Sequence, residues 1–224
     1  FPYTYESRYV SGIVAGMKLK ELMDAGEVTD PYVGYVGAFP YAEVVSGYTA
    51  FFLGIKSVYE NVSMEVTYTN DWSDASLEST AANALASAGC VVICQHADTT
   101  GAPSAIEALN KNGEVVFSVG YNIDMLSVAP HAALTSATND WSVYYTYAIG
   151  QALKGERIAT NWAKGYADGA VKITALGTAC AAGTAEKVAE VEAALKNGTL
   201  KVFDTSKFTA QATTGVEVDE NGKV

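Results

Sequence analysis

The stretch PYVGYVGAFPYAEVVSGYTAFFLGIKSV (residues 31–58) begins with a short apolar run, Tyr32–Gly37, whose length and Gly/Pro flanks read as a buried strand. After Phe39-Pro40 the apolar residues fall at Val44, Val45, Tyr48, Phe51, Phe52, Ile55 and Val58. Steps of three and four residues place them on one face of a helix. A buried strand followed at once by an amphipathic helix is half of a parallel crossover unit, and the flanking sequence decides whether the unit repeats.

It does repeat. Upstream, Val10, Ile13, Val14, Met17, Leu19 and Leu22 predict a helix over residues 5–25, with Gly26 as its stop. Downstream, Met64, Val66 and Tyr68 alternate with polar neighbours as a strand does. Ser73 or Asp74 then caps a helix carrying Leu77, Ala81 and Leu85, which ends at Gly89. Residues 90–94 predict a third strand, 103–111 a helix ended by Gly113, and 115–119 a fourth strand. Regular alternation forces parallel strands joined by right-handed crossovers, so the fold class is α/β, an open parallel sheet flanked by helices. Residues 1–122 are expected to form one complete lobe. Residues 123–224, with a strand at 134–136, helices at 141–154 and 184–196 and a Gly/Ala-rich loop at 177–183, are expected to be a return segment of a partial lobe, with a tail.

With 224 residues, 49% of them hydrophobic and only 17% charged, the chain can bury a sizeable core. The net charge of -11, without any basic stripe, opposes a nucleic-acid polymer as partner. No run of about 18 apolar residues exists to span a membrane. Cys90 and Cys94, placed on one strand, are held roughly 13 Å apart and cannot bridge each other. The two histidines stand near no cysteine pair of zinc-site spacing, so no metal is indicated.

Open parallel sheets bind ligands just beyond the carboxyl ends of their strands. The residues that follow the four predicted strands are Ala38-Phe39-Pro40, Asn70-Asp71-Trp72-Ser73-Asp74, Gln95-His96-Ala97-Asp98-Thr99-Thr100 and Gly120-Tyr121-Asn122-Ile123-Asp124. Aromatic faces, carboxylates and amides gathered on one edge suit a heterocycle with a sugar. The candidate ligand-binding residues are Phe39, Trp72, Asp74, His96, Asp98, Thr99, Tyr121, Asn122, Asp124 and Trp141, with Tyr145 behind them. For single residues a structural role competes: Asp74 as helix cap, Trp72 as core aromatic, Asn122 as turn residue. His96 with Asp98 and Asp74 also offers acid/base groups, but no Gly-x-Ser-x-Gly nucleophile motif accompanies them. Gly34-Tyr35-Val36-Gly37 lacks the third glycine of a dinucleotide fingerprint, and no phosphate-binding loop is present, so no cofactor is indicated.

Several segments resemble the basic membrane protein (BMP) family of ABC-transporter substrate-binding lipoproteins, which includes purine nucleoside receptors. ESRYVSGIVAG (6–16) is similar to the family's Glu-x-x-Tyr-Leu-Ala-Gly-x-x-Ala-Gly helix, and YVGAFPYAEVVSGYTAFFLGIKSV (35–58) to its strand, loop and Gly-x-x-Ala-Phe-x-x-Gly helix. TNDWSDASLESTAANAL, ICQHADTTGAPSAIEA, GYNIDM and LTSATNDWSVYY extend the likeness in order, and DGAVKITALG and LKNGTLKVF continue it loosely. The resemblance implies a periplasmic-binding-protein-like (type I) fold of two lobes, the first incomplete here, with the ligand between them. It places Trp72 at the family's stacking aromatic and Asn122 where many members use Asp to grip ribose hydroxyls. Asn139 stands where nucleoside-binding members often carry lysine, and His96-Ala97-Asp98 stands in place of a glycine-rich loop.

The implied function is capture of a nucleoside or related heterocycle, without enzymatic chemistry, for delivery to an ABC permease in the membrane. The implied location is extracytoplasmic, lipid-anchored through a cysteine upstream of this sequence. The effector-sensing domain of a regulator or signalling receptor shares the fold and is the alternative.

Overall fold

A computed structural model describes residues 1–204 and 206. Its first helix, α1 (Thr4–Ala25), buries Val10, Ile13, Val14, Leu19 and Leu22. It ends at Gly26, whose φ of +69° is a left-handed conformation that glycine adopts without penalty. There follow β1 (Tyr32–Gly37), α2 (Ala42–Lys56), β2 (Ser63–Tyr68), α3 (Ala75–Ser87), β3 (Val92–His96), α4 (Gly101–Lys111), β4 (Phe117–Tyr121), β5 (Ala133–Asn139), α5 (Trp141–Lys154), β6 (Val171–Ile173) and α6 (Thr184–Lys196). The six strands form one sheet in the order β2-β1-β3-β4-β5-β6. All pairs are parallel except β5 with β6.

Side chains alternate across each central strand and so feed two cores. Val33, Tyr35, Val92 and Cys94 pack beneath α1 and α2, while Val36 and Ile93 pack with Ala82, Leu85 and Ile106 of α3 and α4. The contact between α1 and α2 depends on two glycines. A Cβ at Gly12 would lie 2.2 Å from the Phe51 carbonyl oxygen, and one at Gly54 would lie 2.2 Å from that of Tyr9. Only bare backbone lets the helices approach so closely.

The structure corrects several sequence expectations. The third and fourth strands begin two residues later than hydrophobicity suggests. Cys90 still belongs to the turn, its N–H donating to Leu85 O. Gln95, His96 and Tyr121, read as loop residues, instead lie in strands and are buried. As expected for Cys90 and Cys94, no bridge joins them, and Cys180 is likewise a free thiol. On α3 the buried position belongs to Glu78 rather than Leu77, which is 44% exposed. Glu78 is held inside because its carboxylate accepts from Gln95 Nε2 (2.9 Å) and Thr99 N–H (3.1 Å). The sheet also continues past residue 122. β5 and β6 are its fifth and sixth strands, and Val188, Val191 and Leu195 of α6 join the same core as α1. Residues 133–139, 171–173 and 184–196 thus build on the sheet made by 1–122, because β4 exposes an edge that β5 pairs. Of the expected return segment, residues 205 and 207–224 lie outside the described residues. Among the described residues, no helix is long and apolar enough to cross a membrane.

Candidate ligand-binding site

The chain leaves β1 in one direction to reach β2 and then crosses back to β3 on the other side of β1. That reversal opens a crevice at the carboxyl ends of the strands. A cleft of about 290 Å³ occupies this edge, lined by Glu43, Trp72, Asp98, Tyr121, Asn122 and Asn139, and closed at one side by Phe1 and Trp141. A larger cavity, about 760 Å³, lies against Tyr9, Leu53 and the segment after α6, and no strand-end residue lines it.

The aromatic side of the cleft is a cluster of three rings. Phe39 stacks on Tyr41 (centroids 5.1 Å apart, planes 13° apart), and Trp72 leans on both, at 5.8 Å and 6.4 Å. Trp72 is half-buried and faces the cleft. Its carbonyl oxygen accepts from Asp98 N–H at 2.7 Å, which ties the loop after β2 to the loop after β3. The polar side is equally connected. Asn122 Nδ2 donates to Asp98 Oδ1 at 2.9 Å, and Asn139 Oδ1 accepts from Thr4 Oγ1 at 2.9 Å. Asn122 adopts φ +63°, a left-handed conformation that asparagine tolerates better than most residues.

Beneath this surface lies a buried polar floor. His96, fully buried, has Nε2 2.9 Å from Glu43 Oε1 and Nδ1 2.7 Å from Tyr35 OH. Burial, with the nearby charge of Arg8, pushes the His96 pKa down to about 4 despite the Glu43 carboxylate, so the ring is neutral near pH 7. Burial alone would raise Glu43, but the hydrogen bond from His96 and the Arg8 charge outweigh it and keep Glu43 ionised. An ionised carboxylate only accepts. We therefore assign the proton to Nε2, which donates to Glu43, and Tyr35 O–H donates to Nδ1. Burial and the Glu43 carboxylate push Asp98 upward, opposed by the Asn122 hydrogen bond.

Arg8 sits under the floor. Its Nη1 donates to Gln95 O at 2.8 Å, and its guanidinium lies 4.2 Å from the Tyr121 ring centre and 5.7 Å from that of Tyr35. Nε and Nη2 have no hydrogen-bond partner among the described residues, so the ring faces carry much of what holds this cation inside.

The sequence candidates fall into two groups. Trp72, Asp98, Tyr121, Asn122 and Trp141 converge on the cleft, with Phe39 supporting Trp72. Four others are turned to local work. Asp74 accepts from Ser76 and Leu77 N–H as the cap of α3, and Asp124 accepts from Leu126 N–H. Thr99 Oγ1 accepts from Gly101 N–H, while His96 belongs to the floor. Tyr145 is 59% exposed on α5, outside the cleft. Sequence reading missed Glu43 and Phe1 as lining residues. Glu43 lies in the first turn of α2, just past the loop after β1, and an acidic residue in that turn was the available signal.

Residues 3–206 match the family described as ABC transporter substrate-binding protein PnrA-like. The chain is 33% identical over 199 residues to a purine-binding protein of Brucella abortus (strain 2308), covering 89% of this chain and 53% of that protein. It is 30% identical over 208 residues to a Haloferax volcanii protein named as an ABC transporter glucose-binding protein, covering 93% of this chain and 50% of that one. The chain thus spans about half the length of these curated relatives. Among solved structures, a solute-binding protein of an ABC transporter system from Aeropyrum pernix K1 matches with a TM-score of 0.78 at 17% identity, over 90% of this chain and 65% of that one. A transcriptional activator of the comK gene from Bacillus halodurans matches at 0.69 and 21% identity, over 89% and 65%. These structural likenesses show a periplasmic-binding-protein-like fold shared by transport proteins and regulators. The match across nearly the whole chain makes it a member of the PnrA-like (Bmp) family of ABC transporter substrate-binding proteins.

Proposed function

We propose that this chain supplies one lobe and the hinge-side return of an extracytoplasmic substrate-binding protein that captures a purine, as free base or nucleoside, for an ABC permease, without chemical conversion. The observation that carries this reading is the cleft itself. A ring cluster led by Trp72 faces carboxylates and amides from Glu43, Asp98, Asn122 and Asn139, a lining that matches a flat polar heterocycle. The name of the Brucella relative supports a purine. A sugar is the second reading, favoured by the name of the Haloferax relative and by the same carboxylates and amides, which also suit hydroxyl groups.

The lobe proposed here comprises residues 1–139 with 171–204, since one sheet and its covering helices include them. α5 buries no residue, and it presents Tyr145, Ile149 and Leu153, spaced four apart, at 59%, 58% and 84% exposure. The partner proposed for that stripe is a second lobe of a longer polypeptide, closing over the cleft as a hinge, a reading that the roughly double length of the relatives supports. A lipid anchor on that longer polypeptide would hold it near its permease.

Thermal-shift screening of purine bases, purine and pyrimidine nucleosides and simple sugars against the two-lobed protein tests the proposal. A ligand that binds only the folded state raises Tm. Selective stabilisation by purines is expected; stabilisation by glucose alone would replace the purine reading with the sugar one.

A further inference from the structure

The family match and the sequence motifs leave Glu43 without a role, yet it is the most carefully held carboxylate on the cleft. It stands in the first turn of α2, directly beyond the end of β1. Its Oε1 takes the hydrogen bond from His96 Nε2 at 2.9 Å, and His96 is itself fixed by Tyr35 at 2.7 Å. His96 and Tyr35 are both fully buried, whereas the Glu43 side chain keeps 31% of its surface exposed where it lines the cleft. Gly47, one turn along α2, makes room for this arrangement, since a Cβ there would lie 2.7 Å from His96 Cε1. Oε2 of Glu43 has no protein partner among the described residues. Surface carboxylates are usually free to change rotamer, whereas this one, which also satisfies the buried His96 N–H, is fixed in position on the cleft wall.

Among the described residues no lysine or arginine lines the cleft, and Arg8 is sealed behind the Tyr121 ring. The charged side chains of the wall, Glu43 and Asp98, are therefore both carboxylates, which favours ligands that bring N–H donors and disfavours phosphorylated ones.

We propose that Glu43 is a specificity-determining residue of the cleft: its carboxylate accepts a hydrogen bond from a ring N–H or exocyclic amino group of the bound heterocycle, with His96 and Tyr35 as positioning residues behind it. This rests on the capture reading above and adds the atom that reads the ligand's polar edge.

The test is a set of calorimetric titrations on the two-lobed protein, wild type, Glu43→Gln and Glu43→Ala, with melting curves to confirm folding. The probes are adenine, guanine and derivatives in which methylation removes the donors of one nitrogen: 9-methyladenine, N6,N6-dimethyladenine and 1-methylguanine. In the wild type, methylation at one donor position weakens binding by about ten-fold, the equivalent of a lost hydrogen bond. In Glu43→Ala the parent purine binds about ten-fold more weakly and that methylation no longer matters, because the two changes remove the same interaction. Glu43→Gln keeps an acceptor for His96 and loses the same selectivity, which separates reading of the ligand from simple support of the fold. If a purine binds and every methylation penalty persists in both variants, Glu43 does not read the ligand and the inference fails alone. If the wild type binds none of the purines, the purine reading fails and the inference with it.

Discussion

Asn122 Nδ2 lies 2.9 Å from Asp98 Oδ1, so the residue just past β4 clamps the loop that follows β3. The same asparagine is held at φ +63° by its own N–H, which donates to Ala137 O, and by its carbonyl, which accepts from Thr138 Oγ1. Two separable contributions follow. Asn122→Gly keeps the backbone conformation and loses the clamp, so it should cost roughly 1 kcal/mol in chemical denaturation. Asn122→Ala loses the clamp and strains the backbone, adding about 1 kcal/mol more. Equal stability of the two variants would show that the left-handed conformation carries no cost at this site.

The crossing of α1 and α2 should tolerate no side chain at Gly54. A Cβ there meets Tyr9 O at 2.2 Å, a backbone atom that cannot move aside without shifting the helix. Gly54→Ala is expected to destabilise by roughly 3 kcal/mol or more through overpacking. Gly150, on α5 with nothing within 4 Å of its added Cβ, is the control. Gly150→Ala should stabilise by about 0.5–1 kcal/mol through helix propensity.

Stability should fall as the pH drops from about 6.5 toward 4. In the unfolded chain a histidine takes up its proton near 6.5, but buried His96 does so only near 4. Between these values the unfolded state binds more protons, so acid favours unfolding, by on the order of 3 kcal/mol once both states are protonated. Glu43, whose folded pKa is lowered, adds a loss of the same sign at lower pH. Denaturation at pH 7, 5.5 and 4.5 measures the slope, and His96→Gln should flatten it. An unchanged slope in that variant would remove His96 as its source.

The exposed stripe on α5 gives a prediction that depends on chain length. Tyr145→Ser together with Ile149→Ser should leave the stability of the 224-residue chain within about 0.5 kcal/mol, as surface changes do. In the two-lobed protein the same pair should cost several times more, since each buried apolar side chain there contributes roughly 1.5–3 kcal/mol. The same small effect in both would mean that nothing covers α5.

The strand and helix alternation was legible because the central parallel strands are buried on both faces and read as short apolar runs, while edge strand β2 shows apolar and polar alternation. Helices α5 and α6 and strand β1 were placed to the residue. The misplacements of Gln95, His96 and Glu78 share one cause. Gln95, His96 and Glu78 are polar yet buried, each satisfied by partners distant in sequence, and hydropathy cannot see a hydrogen bond that has yet to form. The same limit hid part of the site. Trp72, Asp98 and Asn122 follow strand ends and were found by that rule. Glu43 belongs to the site through His96, fifty-three residues away. Asp74, Thr99 and Asp124 follow strand ends equally well; the cap role of Asp74 was readable from its place before a helix, whereas the turn roles of Thr99 and Asp124 come from the structure. A strand was expected at 134–136, within β5, but β6 was not legible because it is three residues long and antiparallel.

The most direct measurement is a calorimetric titration of adenine, guanine and their nucleosides into the two-lobed protein and its Trp72→Ala variant. Trp72 offers the cleft-facing ring on which a heterocycle would stack. Saturable 1:1 binding of a purine by the wild type, weakened at least ten-fold in a folded Trp72→Ala protein, is the expected result, since loss of one base–aromatic stack costs about 1–3 kcal/mol. Purine binding of unchanged affinity in that variant, or no purine binding by the wild type, would contradict capture of a purine at this cleft.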